Sequence, residues 1–182
     1  MWLLKSKNCN VLIGEKVSLR AVEPGDATLI YLWENNVANW KFTNTDSPIS
    51  MFEIYQLIEE QRAVRETGQL RLMIQENKSQ NLVGTIDLYN VDFKNAFGTV
   101  GILIADKKHR KQGFALESLK ILASYAQKQL QLRNLTCGIQ SMNLGSQKLF
   151  EKAGFRQVGC RNNWFVVEGK LEDEYIYQLE LV

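Results

Sequence analysis

One stretch constrains this chain more than any other: Gly101 to Ala115, GILIADKKHRKQGFA. Val100, Ile102 and Ile104 recur at period two with Leu103 on the opposite side, the alternation of a half-buried strand. From Ala115 the apolar positions change to helical spacing: Ala115, Leu119, Leu122, Ala123, Ala126 and Leu130. A strand therefore runs into a long amphipathic helix through the turn Arg110-Lys111-Gln112-Gly113-Phe114-Ala115. Such a junction favours anions, because the first helical turn has N–H groups without intrahelical partners and carries partial positive charge. Gly113 lets a phosphate approach the backbone closely, and Ala115 is small enough to do the same. Lys107, Lys108, Arg110 and Lys111 add long-range attraction for a polyanion. Taken alone, the hexapeptide is more simply a solvated basic turn capping an ordinary βα unit, because its spacing is common.

A second pattern follows about thirty residues on, from Asn143 to Phe155. Asn143 suits a helix N-cap, Leu149 and Ala153 lie one turn apart on an inner face, and Gly154 suits the left-handed C′ position. Phe155 then opens a strand. The two patterns in this order, Arg-x-x-Gly-x-Ala and then Asn-x-x-Ser-x-x-Leu-Phe-x-Lys-x-Gly-Phe, resemble the GNAT superfamily of acetyl-CoA-dependent N-acyltransferases. The resemblance extends from about Gly14 to Leu181. It implies a single α/β domain over 14–182, with a short extension at 1–13 and a mixed sheet splayed at an acyl-CoA site.

The remaining sequence agrees with one ordinary domain. At 182 residues, 45% hydrophobic and 23% charged, the chain is long enough for a substantial core. A formal net charge of +2 does not point to nucleic acid. No apolar run is long enough to span a bilayer, and Met1 to Lys5 is too short an apolar block for a signal peptide. Cys9, Cys137 and Cys160 lack metal spacing, their odd number argues against a disulfide framework, and one histidine makes a zinc site improbable. No metal is expected, and the expected location is cytoplasmic. Periodicity and turn signals predict strands at 16–21, 70–75, 82–89, 134–140, 155–161 and 175–181 besides the organising one. Trp164 to Val167 is expected to extend a sheet edge. Helices are predicted from Pro24 to about Asn35, from the capping box Ser50-x-x-Glu53 to Thr67-Gly68, from Ala115, and over 144–153. Trp40 to Pro48 reads as a loop. The count is about seven strands and about four helices.

The resemblance also implies a mechanism. The pantetheine arm of acetyl-CoA would pair with the backbone of Ile102, Leu103 and Ile104 where two strands splay. The pyrophosphate would rest on the N–H groups of Arg110, Lys111, Gln112, Gly113, Phe114 and Ala115. Asn143, Ser146 and Phe150 would line the other side, with Lys152 near the phosphates or adenosine. The Ile102 backbone N–H would polarise the thioester carbonyl. Two departures stand out: many members carry a Tyr where this chain has Phe150 and a Glu where it has Thr99, so the usual acid and base do not carry over. Trp33, Glu34, Asp87 and Tyr89 are acceptor-side candidates by approximate location. Deprotonating a lysine-like amine at pH 7 costs about 4.6 kcal/mol against about 1.4 for an α-amine, so missing side-chain catalysts lean weakly toward an α-amine or a water relay.

Leu19-Arg-Ala21, Trp33-Glu-Asn-Asn36 and Trp164-x-x-x-Glu168-Gly-Lys170-x-x-Asp173-Glu resemble the branch containing ribosomal-protein N-terminal acetyltransferases and spermidine acetyltransferases. The expected acceptor is a peptide N-terminus, a polyamine or another small amine, with neither nucleic acid nor membrane as partner and room for a homodimer. An acyl-CoA-binding module with little catalysis is the alternative that Thr99 and Phe150 support. A nucleic-acid binder using Lys107 to Lys111 lacks the interleaved aromatic residues that single strands favour.

Overall fold

The computed structural model describes residues 12–43, 45–60 and 63–182, with backbone only at 41–43. Of the expected extension, residues 1–11 lie outside these; Leu12 packs against the main core and Ile13 forms a β-bridge with Ser18. Seven strands are present: β1 (Val17–Ala21), β2 (Leu70–Glu76), β3 (Leu82–Asp92), β4 (Phe97–Ile104), β5 (Asn134–Gln140), β6 (Arg156–Val167) and β7 (Lys170–Glu180). Among the described residues there are six α-helices: α1 (Ala27–Glu34), α2 (Val37–Thr43), α3 (Met51–Glu59), α4 (Val64–Thr67), α5 (Phe114–Lys128) and α6 (Leu144–Lys152).

The strands form one sheet in the order β1-β2-β3-β4-β5-β7-β6. Every neighbouring pair is antiparallel except β4 with β5. That parallel pair holds over only three positions, Phe97 with Asn134, Gly98 with Leu135 and Thr99 with Thr136. Beyond Thr99 the two strands part, so the mixed, splayed sheet is as expected. Helices cover both faces. On one, Leu119, Leu122 and Ala126 of α5 and Phe150 of α6 meet Leu72, Ile86, Val100 and Leu135 of the sheet. On the other, Ile30 of α1 and Ile54 and Ile58 of α3 close on Met73 of β2. Successive strand residues point to opposite faces, so Leu72 and Ile74 serve one core while Met73 between them serves the other.

Local chemistry accounts for the helix boundaries. The Ser50 hydroxyl accepts from the Glu53 N–H at 3.2 Å, and the Glu53 carboxylate accepts from the Ser50 N–H at 2.7 Å, closing a capping box before α3. Asn143 caps α6 by accepting from the Ser146 N–H at 3.1 Å. Two expectations are corrected. The predicted loop from Trp40 begins inside α2, which Asn36 starts by accepting from the Ala38 N–H. The helix from Ser50 ends at Glu59, with α4 separate from it, which together with α2 raises the helix count above the expected four. β6 and β7 are also longer than predicted: Trp164 to Val167 continues β6 through a register shift after Arg161, and β7 begins at Lys170. No helix among the described residues is long and apolar enough to cross a membrane.

Candidate active site

Two adjoining cavities occupy the gap between β4 and β5. The larger, about 710 Å³, lies between the β4 end, the turn before α5, and α6. Ile102, Leu103 and Ile104 form one wall; Arg110, Lys111, Gly113 and Ala115 border the turn side; Asn143, Ser146 and Lys152 stand opposite. Ten of the thirteen residues expected around acetyl-CoA thus meet at one place. The orientation of the β4 backbone follows from its ladder. Ala105 donates to the Val83 carbonyl at 3.1 Å, and antiparallel pairs alternate, so Gly101 and Leu103 face β3 while Ile102 and Ile104 face the gap. The guanidinium of Arg110 is consistent with this, since its Nε reaches the Ile104 carbonyl at 3.1 Å and its Nη2 the Asn39 side-chain oxygen at 3.1 Å.

The turn is built to expose amides. Lys111 has φ 61° and Gly113 φ 89°, two left-handed residues that turn successive N–H groups toward one concavity. One of the six expected amides is not available: the Arg110 N–H donates to the Lys107 carbonyl at 3.1 Å, closing the short turn Lys107–His109. Those of Lys111, Gln112, Gly113, Phe114 and Ala115 find no partner among the described residues. The side chains of Gln112 and Phe114 contribute nothing to the cavity. Gln112 donates to the Lys108 carbonyl at 2.7 Å, and Phe114 is buried in the main core.

The second cavity, about 480 Å³, shares Ile102, Leu103, Asn143 and Ser146 with the first and continues to the α1 side of the sheet. Phe150 faces this second cavity, packed edge-on against Phe155 at 5.0 Å and 81°, so it is both a core residue and a cavity wall. Glu34, Asp87 and Tyr89 line it as well. Trp33 does not: it borders a separate hollow of about 470 Å³ beside α2 and packs on the second core. Thr99 pairs with Tyr89 on β3 and Thr136 on β5, outside both linings.

Charge in the second cavity is paired. Arg71 Nε meets Asp87 Oδ1 at 2.6 Å, its Nη2 meets Oδ2 at 3.3 Å, and its Nη1 meets Glu34 Oε1 at 2.9 Å. Burial opposes the Arg71 charge, but Asp87 and Glu34 outweigh it and hold its pKa above the ordinary value. Burial, then Asp87, raises the Tyr89 pKa, so this residue is a phenol at neutral pH. Burial, then Glu174, raises that of Cys137 well above the ordinary thiol range. A buried thiol of this kind is no nucleophile.

The sequence did not point to Arg71, Cys137, Gly138 or Arg161, nor to a site role for Glu174, all of which stand at or beside this cavity. Glu174 left one trace, as the last residue of the pattern Trp164-x-x-x-Glu168-Gly-Lys170-x-x-Asp173-Glu, which gave it no role.

A mixed sheet split between β4 and β5, with five amides unpaired among the described residues at the opening of α5 beside the split, defines the α/β class of this protein. Residues 16–156 match the family model described as "Acetyltransferase (GNAT) domain". The chain belongs to that family and is an acyltransferase. It is 29% identical over 164 residues to the SPbeta prophage-derived uncharacterized N-acetyltransferase YokL of Bacillus subtilis, covering 88% of this chain and 87% of the relative. The Spermidine N(1)-acetyltransferase of Vibrio cholerae is 23% identical over 164 residues, with 88% and 91% covered. The match to Probable N-acetyltransferase YjcK of Bacillus subtilis, 31% over 96 residues, spans 52% of each chain. Among solved structures, the spermidine N-acetyltransferase from Vibrio cholerae in complex with CoA and spermine superposes with a TM-score of 0.83, 21% identity, and coverage of 92% of this chain and 97% of that one.

Proposed function

We propose that this protein moves an acetyl group from acetyl-CoA to a primary amine by direct attack within a ternary complex. The observation that carries this reading is the joining of two cavities at Ile102 and Asn143, one bordered by unpaired amides and the other by carboxylates. The residues fit an acyl-CoA. Five amides without partners suit a pyrophosphate, Lys111 and Lys152 stand at the same cavity, and Ile102 and Ile104 offer backbone groups to an extended arm. The Ile102 N–H faces the gap, which supports a role in polarising the thioester carbonyl, a contribution whose loss would cost about 3 kcal/mol of barrier. A cationic amine is attracted by Glu34, Asp87 and Glu174, which outnumber the guanidinium groups of Arg71 and Arg161 paired with them.

The test has two arms. Acetyl-CoA at millimolar concentration should raise the Tm, and Gly113→Glu should abolish that rise by placing a carboxylate against the bound pyrophosphate. Incubation with acetyl-CoA and a panel of polyamines, amino sugars and peptides with free N-termini should release thiol. A thermal shift without thiol release on any acceptor turns the reading to the binding module that Thr99 and Phe150 favour. Absence of the shift removes the acyl-CoA reading itself.

A further inference from the structure

Two glycines shape the floor of the second cavity, one on each of the strands that part. A Cβ on Gly101 would stand 3.9 Å from Asp87 Oδ2, and a Cβ on Gly138 would stand 2.0 Å from Glu174 Oε1. Only Gly138 leaves room that a side chain would close, and Glu174 lies across it; Asp87 borders Gly101 at ordinary contact distance, and both acids line the cavity that Ile102 borders. Their states differ. Both oxygens of Asp87 are held by Arg71. Glu174 Oε2 accepts from Arg161 Nη1 at 2.6 Å, while Oε1 accepts no hydrogen bond among the described residues, and the residue lines the cavity. The residue is buried, 8% exposed. Although the residue is largely enclosed, Oε1 is not among the fully enclosed polar atoms without a partner, so it is open to an incoming donor, and the amine is one.

We infer that Glu174 is the general base for the acceptor amine, placed on β7 in a chain that has Thr99 where the usual glutamate stands on β4. The inference rests on the amine-acetyltransferase reading above. The bound ammonium first loses a proton to water, and the lone pair so freed forms the C–N bond to the thioester carbonyl carbon while the carbonyl π pair moves to oxygen, beside the Ile102 N–H. As that bond forms the nitrogen becomes acidic, and Glu174 Oε1 takes one of its protons. Collapse re-forms the carbonyl, breaks the C–S bond and sends the electron pair out on sulfur, giving the thiolate of coenzyme A. The proton held by Glu174 passes to the thiolate or to water, and the base is restored. Tyr89 cannot take this role because it is a phenol at neutral pH, and Arg71 occupies Asp87. Glu34 keeps one oxygen off Arg71, so it is the rival to be tested.

The test uses the full chain with acetyl-CoA and two probes, spermidine and a hexapeptide with a free N-terminal alanine. With whichever probe turns over, Glu174→Gln should lower kcat by at least 10²-fold. The acetyl-CoA KM should stay within about twofold, because Glu174 is absent from the larger cavity. The amide oxygen of Gln still accepts from Arg161, so the packing of β6 on β7 is kept. Arg161→Gln breaks the same ion pair but leaves the carboxylate, and should keep kcat within tenfold. Equal losses in Glu174→Gln and Arg161→Gln would mean that the pair only braces the hairpin, and would overturn the assignment even if Glu174→Gln melts early. A large kcat loss in Glu34→Gln with Glu174→Gln near wild type would move the base to α1. Wild type that turns over neither probe nor any member of the wider acceptor panel sinks the base together with the acetyltransferase reading, whereas an active wild type with an unaltered Glu174→Gln sinks the base alone.

Discussion

Phe150 is the residue at which the chemistry and the packing of this protein meet. It is 4% exposed, edge-on to Phe155, and forms part of the wall of the cavity where the reaction is proposed to take place. A phenyl ring gives no proton to a leaving thiolate, but a thiolate of pKa roughly 8.5 departs without strong need of one. Phe150→Leu should therefore destabilise the fold by about 1–2 kcal/mol, through lost ring contacts and a small cavity, while the shape of the kcat–pH curve is unchanged. Phe150→Tyr should raise kcat only if thiolate departure limits the rate. A pH–rate series decides whether another acid acts. Without one, kcat rises to an alkaline plateau. If Tyr89 is the acid it must be protonated to act, and because burial lifts its pKa, the falling limb must lie above the ordinary phenol value of about 10. Tyr89→Phe would then remove that limb; a limb that survives Tyr89→Phe excludes Tyr89.

At the level of elements, the parting of β4 from β5 creates the site, and β3 holds β4 in place while it parts. Gly84 on β3 shows how tightly. A Cβ there would stand 1.9 Å from the Leu103 carbonyl oxygen and 3.1 Å from Ile104 Cα, both backbone atoms that cannot swing aside. Gly84→Ala should cost about 2–3 kcal/mol in a urea melt, and should also shrink the acetyl-CoA thermal shift, because the displaced residues wall the larger cavity. A variant that is destabilised but keeps the full shift would show that the end of β4 does not hold the ligand. Gly101→Ala meets only ordinary contacts, the nearest at 3.6 Å, and should melt near wild type. The same contrast explains what could be read from the chain alone. The organising strand, the turn and α5 are set by consecutive residues, through period two, a glycine, then period 3.6, so their order was legible. α2 was missed although Asn36 offers a capping oxygen, because Trp40 to Pro48 shows no clean period. Glu174 over Gly138, and Arg71 between Glu34 and Asp87, depend on strand register and on which strands adjoin. No local spacing encodes those partners.

For the molecule as a whole, the sheet separates two cores: the main one walls both cavities, with Val100, Cys137, Ile139 and Phe150 on the acceptor side, while the smaller one reaches the acceptor side through Glu34 at the end of α1. The main core under α5 and α6 supports the turn and helix that border the larger cavity. The smaller core on the opposite face joins Ile30 of α1 to Ile54 and Ile58 of α3 and to Met73 of β2. From the end of α1, Glu34 reaches Arg71, and Arg71 fixes Asp87, so the acceptor-side charges depend on how firmly α1 is held. Ile54 is fully buried at the centre of that smaller core. Ile54→Ala should cost about 2–4 kcal/mol, from lost transfer energy and the cavity left behind. Assayed well below its lowered Tm, the variant should show a raised amine KM, because α1 no longer holds Glu34 against Arg71, while acetyl-CoA binds as in wild type. Leu122→Ala of α5, in the main core, should reverse the pattern and weaken acetyl-CoA binding more than amine binding. Equal weakening of both substrates in both variants would mean that the two faces respond as one cooperative unit, and that the sheet does not insulate the acceptor side from the cofactor side.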